Sequence, residues 1–240
     1  MREITFDIIK TDERVKAYIT AGNDALKALG FTEHYFPHVY KTAHTAASIL
    51  LDLGYGERDI ELVKIAGLLH DIGNMVNRNY HALTGGVLAE SILSKYNQDM
   101  PYSEIASIVT AIGNHDEDTG RPVNIISAAL ILADKSDVRR SRVTESDMDK
   151  ILADIHDRVN YAVTNGNISV QTNKSDKIDK LDKLDKSTER KIVLNLDIDT
   201  SVCSVMDYFE IFLSRMLMCR RAAAYLSAQF DLIINNLKIM

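Results

Sequence analysis

A chain of 240 residues, 46% hydrophobic and 26% charged, is long enough for one large domain, or a medium domain with a small one, around a proper core. Its formal net charge of −6 argues against gripping nucleic acid over a broad basic face, but leaves room for a local cationic pocket around a phosphorylated small molecule. No apolar run approaches the ~18 residues of a bilayer span, "MREITFDIIK" lacks the apolar core of a signal peptide, and Cys203 and Cys219 have neither disulfide-framework density nor zinc-knuckle spacing, so a reducing cytoplasm is the expected location.

Residues 12–155 read as almost wholly helical. "DERVKAYITAGNDALKALG" sets Val15, Tyr18, Ile19, Leu26 and Leu29 on one stripe and stops at Gly30. A second helix starts near Phe36, buries Val39, Ala43, Ala46, Leu50 and Leu53, and stops at Gly54. Residues 58–70 give a third, with Gly73 as terminator, and residues 82–96 a fourth. "SEIASIVTAIGN", opened by Ser103 after Pro101, is a fifth, and "NIISAALILADKSD" a sixth. Successive amphipathic helices with short connections describe a compact bundle.

After about residue 155 the pattern changes. "NYAVTNGNISVQT" is rich in strand formers and carries an Asn-Gly turn signal at 165–166. "KIVLNLDID" alternates Ile192, Leu194, Leu196 and Ile198 as a strand. "SVMDYFEIFLSRMLMCRRAAAYL" is a long apolar helix, and "FDLIINNLKI" a closing strand. The expected organisation is therefore mainly α: a helical domain over 1–155 and a small α+β domain over 156–240, with a charged loop at about 174–190 made of the Asp-Lys repeat "SDKIDKLDKLDKSTER". Met206, Phe209, Phe212, Leu213, Met216 and Leu217 on the long helix admit two readings, packing on the unit's own sheet or a homodimer surface.

The residues that carry chemistry lie in the helical part. In "GLLHDIGN", residues 67–74, an apolar run ends in His70 and Asp71, two groups that are costly to bury unsatisfied. His38, His81, His115 and Asp134 sit at other helix ends, and imidazole with carboxylate suits Mn, Fe, Co, Ni or Zn better than Ca. Asp71, with two oxygens, can bridge two ions. The dipeptide alone is weak, since His156-Asp157 repeats it with no apolar run before it; the ordered set of six carries the weight.

Residues 36–142 resemble the HD superfamily of metal-dependent phosphohydrolases, whose signature is a His, a His-Asp pair and a later Asp on a helical bundle. "PHVYKTAHTAASILLDLG" is similar to the first-histidine helix, with His38 in the ligand place and His44 roughly opposite on the helix. "IAGLLHDIGN" resembles the central motif, "LILADKSD" the final one, and "NYHALTGGVLAESIL" and "AIGNHDEDTGRP" the two extra histidines of the binuclear branches. The resemblance implies that His38, His70, Asp71 and Asp134 hold one metal and Asp71, His81 and His115 a second, so one or two divalent transition-metal ions serve as cofactor. It implies a water between the ions as nucleophile on phosphorus.

Asp71, Lys41 and Lys135 are the expected catalytic residues, the two lysines as the preferred phosphate clamps; Arg78, Arg121, Arg139 and Arg140 are the remaining cations near the motifs. Asn74 stands where cyclic-dinucleotide branches carry Lys, and "NMVN" lacks the Glu-Asp pair of the alarmone-hydrolysing branch. The leading expectation is a phosphohydrolase, binuclear, acting on a nucleotide or another small phosphorylated molecule. The alternative is a metal- or nucleotide-binding regulator on the same bundle without turnover.

Overall fold

The computed structural model describes residues 3–173 and 189–240. A short α1 (Phe6–Ile9) leads into α2 (Glu13–Ala28), α3 (Phe36–Asp52), α4 (Glu57–Leu69), α5 (His81–Leu93), α6 (Tyr102–Gly113) and α7 (Ile125–Lys135), so each helix expected from the apolar period is present. Local chemistry sets the ends. Asp12 caps α2 by accepting the Arg14 amide, and Asn124 and Ser127 form a reciprocal capping box at the start of α7. Gly30 and Gly54 take φ of +80° and +84°, the left-handed turn that closes α2 and α3.

Helix α7 is the axis of the bundle. Every residue from Ile126 to Ala133 is buried, and α3, α4 and α6 pack around it. Its last turn carries Asp134 into the middle of the molecule. Helices α3 and α4 meet backbone to backbone: a Cβ on Gly67 would lie 2.6 Å from Cα of Ala43. That contact brings the first turn of α3 within reach of the end of α4.

Beyond the bundle the structure departs from the sequence reading in three places. Two short helices, α8 (Met148–Ala153) and α9 (Ile155–Ala162), precede the sheet, so Asn160–Ala162, expected in a strand, are helical. Asp154 causes this by accepting the amides of His156 and Asp157. The Asn165-Gly166 pair makes no turn but lies inside β1 (Val163–Asn173), next to a register irregularity. The expected closing strand is a hairpin, β3 (Gln229–Ile234) and β4 (Leu237–Lys238), turned by Asn235 and Asn236 with φ of 49° and 64°. Apart from Glu189 and Arg190, the expected charged loop lies outside the described residues.

β2 (Glu189–Ile198) pairs antiparallel with β1 and parallel with β3, the long α10 (Val205–Tyr225) making the crossover. α10 packs against α7, α9 and the β2–β3 pair, burying Tyr208, Phe212, Met216 and Cys219 and leaving Met206 and Leu213 exposed. One continuous core therefore runs from Ile4 through the bundle to Ile234 in the sheet. Among the described residues no helix is long and apolar enough to cross a membrane.

Gly67→Ala forces α3 and α4 apart at their closest point. It should lower unfolding free energy by about 1–3 kcal/mol, read as a lower denaturant midpoint at unchanged slope.

Candidate metal centre

Each candidate donor is delivered by the end of an element. His38 lies in the first turn of α3, and His70 closes α4. Asp71 starts a 3-10 turn over Ile72–Met75. Gly73 in that turn touches the start of α5; a Cβ there would sit 2.0 Å from the carbonyl oxygen of His81. Tyr80, at φ 62°, starts α5 abruptly and sets His81 at its first position, an unusual backbone state for a bulky residue. His115 follows α6, and Asp134 ends α7.

These six side chains converge. Oδ2 of Asp71 is 3.5 Å from Nε2 of His38 and 3.2 Å from Nε2 of His70. Oδ1 of Asp134 closes that group at 3.4 Å and 3.6 Å from the same two nitrogens. The other oxygen of Asp71, Oδ1, faces Nε2 of His81 at 3.5 Å and of His115 at 4.0 Å. One carboxylate thus divides its oxygens between two sets of imidazoles, and the donor atoms can hold a metal ion.

The second nitrogen of each ring explains the orientation. Nδ1 of His38 meets Oδ2 of Asp137 at 2.8 Å, and Nδ1 of His70 meets the Gly67 carbonyl at 2.8 Å. Nδ1 of His81 and His115 meet the carbonyls of Arg78 at 3.1 Å and Ile112 at 2.7 Å. All four partners only accept, so Nδ1 carries a proton and Nε2 of each ring faces the centre. Those Nε2 atoms confront each other at 3.3 Å between His38 and His70 and 3.1 Å between His81 and His115. Facing lone pairs so close require a proton or a cation, and this nitrogen–oxygen set fits a first-row divalent metal.

Charge in the metal-free chain follows the same logic. Burial lowers the His70 imidazole, but the Asp71 carboxylate and a hydrogen bond to Asp134 outweigh it and push it up to about 10. Burial instead dominates at His81 and His115 and keeps both below the usual histidine value. Burial opposes ionisation of Asp71 and Asp134, yet His70 and His38 hold the first well below the carboxylate range, and Lys135 with His38 the second.

The surrounding residues separate the expected cations. The Lys135 ammonium is buried between Oδ2 of Asp134 at 2.8 Å and Oε2 of Glu117 at 2.6 Å. Glu117 also accepts from Nε of Arg215, on α10, at 2.7 Å. Lys41 instead pairs with Asp137 at 2.9 Å, on the Nδ1 side of His38, and does not line the cleft over the donors. Arg78 does line it, together with Arg142 and Arg215. Arg121 and Arg140 are exposed, and Arg139 pairs with Glu33 and Asp137. His44 is exposed against the ring of Phe6, and His156 is also exposed.

Sequence reasoning passes over Asp137, Glu117, Arg142 and Arg215. Asp137 alone leaves a local signal, an acid three residues after Asp134 in "ADKSD". Asn74, read there as a departure in substrate, donates to Oδ1 of Asp71 at 2.9 Å and fixes its orientation.

The HD domain family model matches residues 35–162 of this chain. The uncharacterized protein MJ1020 of Methanocaldococcus jannaschii is 26% identical over 160 residues, 58% of this chain and 61% of that protein. Ribonuclease Y of Clostridium perfringens is 32% identical over 130 residues, 53% of this chain and 20% of the ribonuclease, and that of Opitutus terrae 31% over 104 residues, 43% and 18%. The chain thus spans less than two thirds of each of these relatives. No solved structure matches it significantly.

Supplying Mn²⁺ or Zn²⁺ should relieve the confronted imidazoles. At a hundredfold excess over the dissociation constant the gain is about 2.7 kcal/mol, visible as a raised melting temperature that EDTA reverses. Asp137→Ala frees the His38 ring and should weaken metal binding by about 10–100-fold in a direct titration.

Proposed function

The chain belongs to the HD domain family, a family of metal-dependent hydrolases, and from that premise we propose that it hydrolyses a phosphoester or phosphoanhydride of a nucleotide or other small phosphorylated molecule. The observation that carries the reading is Asp71, whose two oxygens serve two separate sets of imidazoles. In this reading His38, His70, Asp71 and Asp134 hold one divalent ion, and Asp71, His81 and His115 hold a second. When bound, such ions lower the pKa of a water and draw charge from phosphoryl oxygens.

The chain's own residues do the rest. Asn74 and Asp137 fix the Asp71 carboxylate and the His38 ring. Lys135 acts as a positioning residue, holding the outer oxygen of Asp134, and Lys41 does the same for Asp137. Arg78 is the phosphate clamp: it is half-buried, lines the cleft, and has no carboxylate partner among the described residues. Arg142, held by the carbonyls of Glu33 and Asp137, and Arg215 add positive potential at the same mouth.

The likeness to ribonuclease Y supports a second reading, cleavage of an RNA phosphodiester. The net charge of −6, and cations gathered in one cleft rather than along a stripe, favour the small substrate.

Purified protein with Mn²⁺ or Fe²⁺ should release phosphate from a nitrophenyl phosphate or from members of a nucleotide panel, and chelation or Asp71→Ala should abolish turnover. Arg78→Ala should lower kcat/KM by about 10–100-fold, the loss of one charge-assisted hydrogen bond. Activity indifferent to chelation and to Asp71→Ala rejects the hydrolytic reading. Tight nucleotide binding with no product favours a regulator, and preference for RNA over mononucleotides favours the ribonuclease.

A further inference from the structure

Beside the cleft over the metal donors lies a cavity of about 320 Å³, and Arg78, Arg142 and Arg215 line both. At this size it stands at the small end of the roughly 300–1,000 Å³ range of small-molecule sites, enough for one monomeric group. Its wall changes character away from the donors. Phe31, in the segment joining α2 to α3, is 40% exposed, and the Arg78 guanidinium lies 5.6 Å from its ring centroid. Buried Phe212 forms the floor, with Arg215 stacked 4.6 Å from its ring centroid.

Helix α9 contributes acceptors to the same lining. The Asp157 carboxylate is half-buried and has no hydrogen bond or ion pair among the described residues. Asn160 spends its amide nitrogen on the His156 carbonyl at 2.8 Å, which leaves its oxygen as an acceptor. A phosphate on Arg78 therefore has beside it a space lined by an aromatic ring and two acceptors.

From this we infer that the cavity is a leaving-group subsite for a nucleoside: a planar base against Phe31, and ribose hydroxyls or an exocyclic amine donating to Asp157 and Asn160. A sugar lacks the flat apolar face for Phe31, and a simple aryl group lacks donors for Asp157. The inference rests on the phosphohydrolase reading for its reaction. The bond from phosphorus to the nucleoside oxygen breaks, water gives its hydroxide to phosphorus and its proton to the leaving oxygen, and nucleoside and inorganic phosphate result. Phe31 lies outside residues 35–162 and Asp157 and Asn160 inside, so the leaving group is chosen jointly by the family domain and the segment before it.

Adenosine 5′-monophosphate and ribose 5-phosphate are the probes, differing only by the base. The wild type should turn over the first with the higher kcat/KM. Phe31→Ala should cut that ratio by about tenfold, the effect of losing one base–aromatic stack, and Asp157→Ala should weaken adenosine monophosphate binding. A wild-type ratio of one or below, or a ratio unmoved by Phe31→Ala, overturns the subsite. Should no phosphoester be turned over with any metal, the hydrolytic reading falls alone. The subsite is then decided by calorimetry with adenosine monophosphate and Mn²⁺: binding that Phe31→Ala weakens sustains it, and no binding at millimolar nucleotide overturns it.

Discussion

Four buried imidazoles with their Nδ1 protons committed to acceptors turn their Nε2 atoms toward one another and toward two buried carboxylates. The rest of the molecule can be read as the means of holding that arrangement. It places the costliest polar groups of the chain, two carboxylates among them, at the meeting point of helices whose other faces are apolar. A buried polar cluster of this kind destabilises a fold unless something satisfies it. The free energy of ion binding is then tied to the free energy of folding, because the unfolded chain offers no such site.

Several of the charges just outside the donors are paired into groups. Asp137 meets His38, Lys41 and Arg139, while Glu117 is shared by Lys135 and Arg215. Through the second group an acid near the end of α7 is linked to α10, the helix that crosses over between β2 and β3. A C-terminal unit that looks like an appendage in the sequence is, by this chain of contacts and by the shared core, part of the structure that supports the centre.

The bundle is legible in the sequence because its helices are long, amphipathic and stopped by glycine, and because α7 is apolar on all sides. The order of donors is legible too: the family resemblance puts His38 rather than His44 in the ligand place, helix face keeps the two from sharing a site, and His70-Asp71 stands out at the end of an apolar run. Asn160–Ala162 are not, since α9 is short and its last residues run straight into the strand formers of β1. Asn165-Gly166 misleads because the same pair serves a tight turn or a strand irregularity, and only the neighbouring strand decides which. Arg142 and Arg215 reach the cleft by tertiary packing, which leaves no mark at their own positions. Lys41 is close to His38 in sequence, but the deciding fact is the position of Asp137.

The backbone contact between Gly67 and Ala43 has a kinetic consequence. Helices pressed together at that point leave no gap between them, and the cleft over the donors is lined instead by Arg78, Arg142 and Arg215. A bare dication approaching there meets repulsion, whereas a phosphate meets attraction.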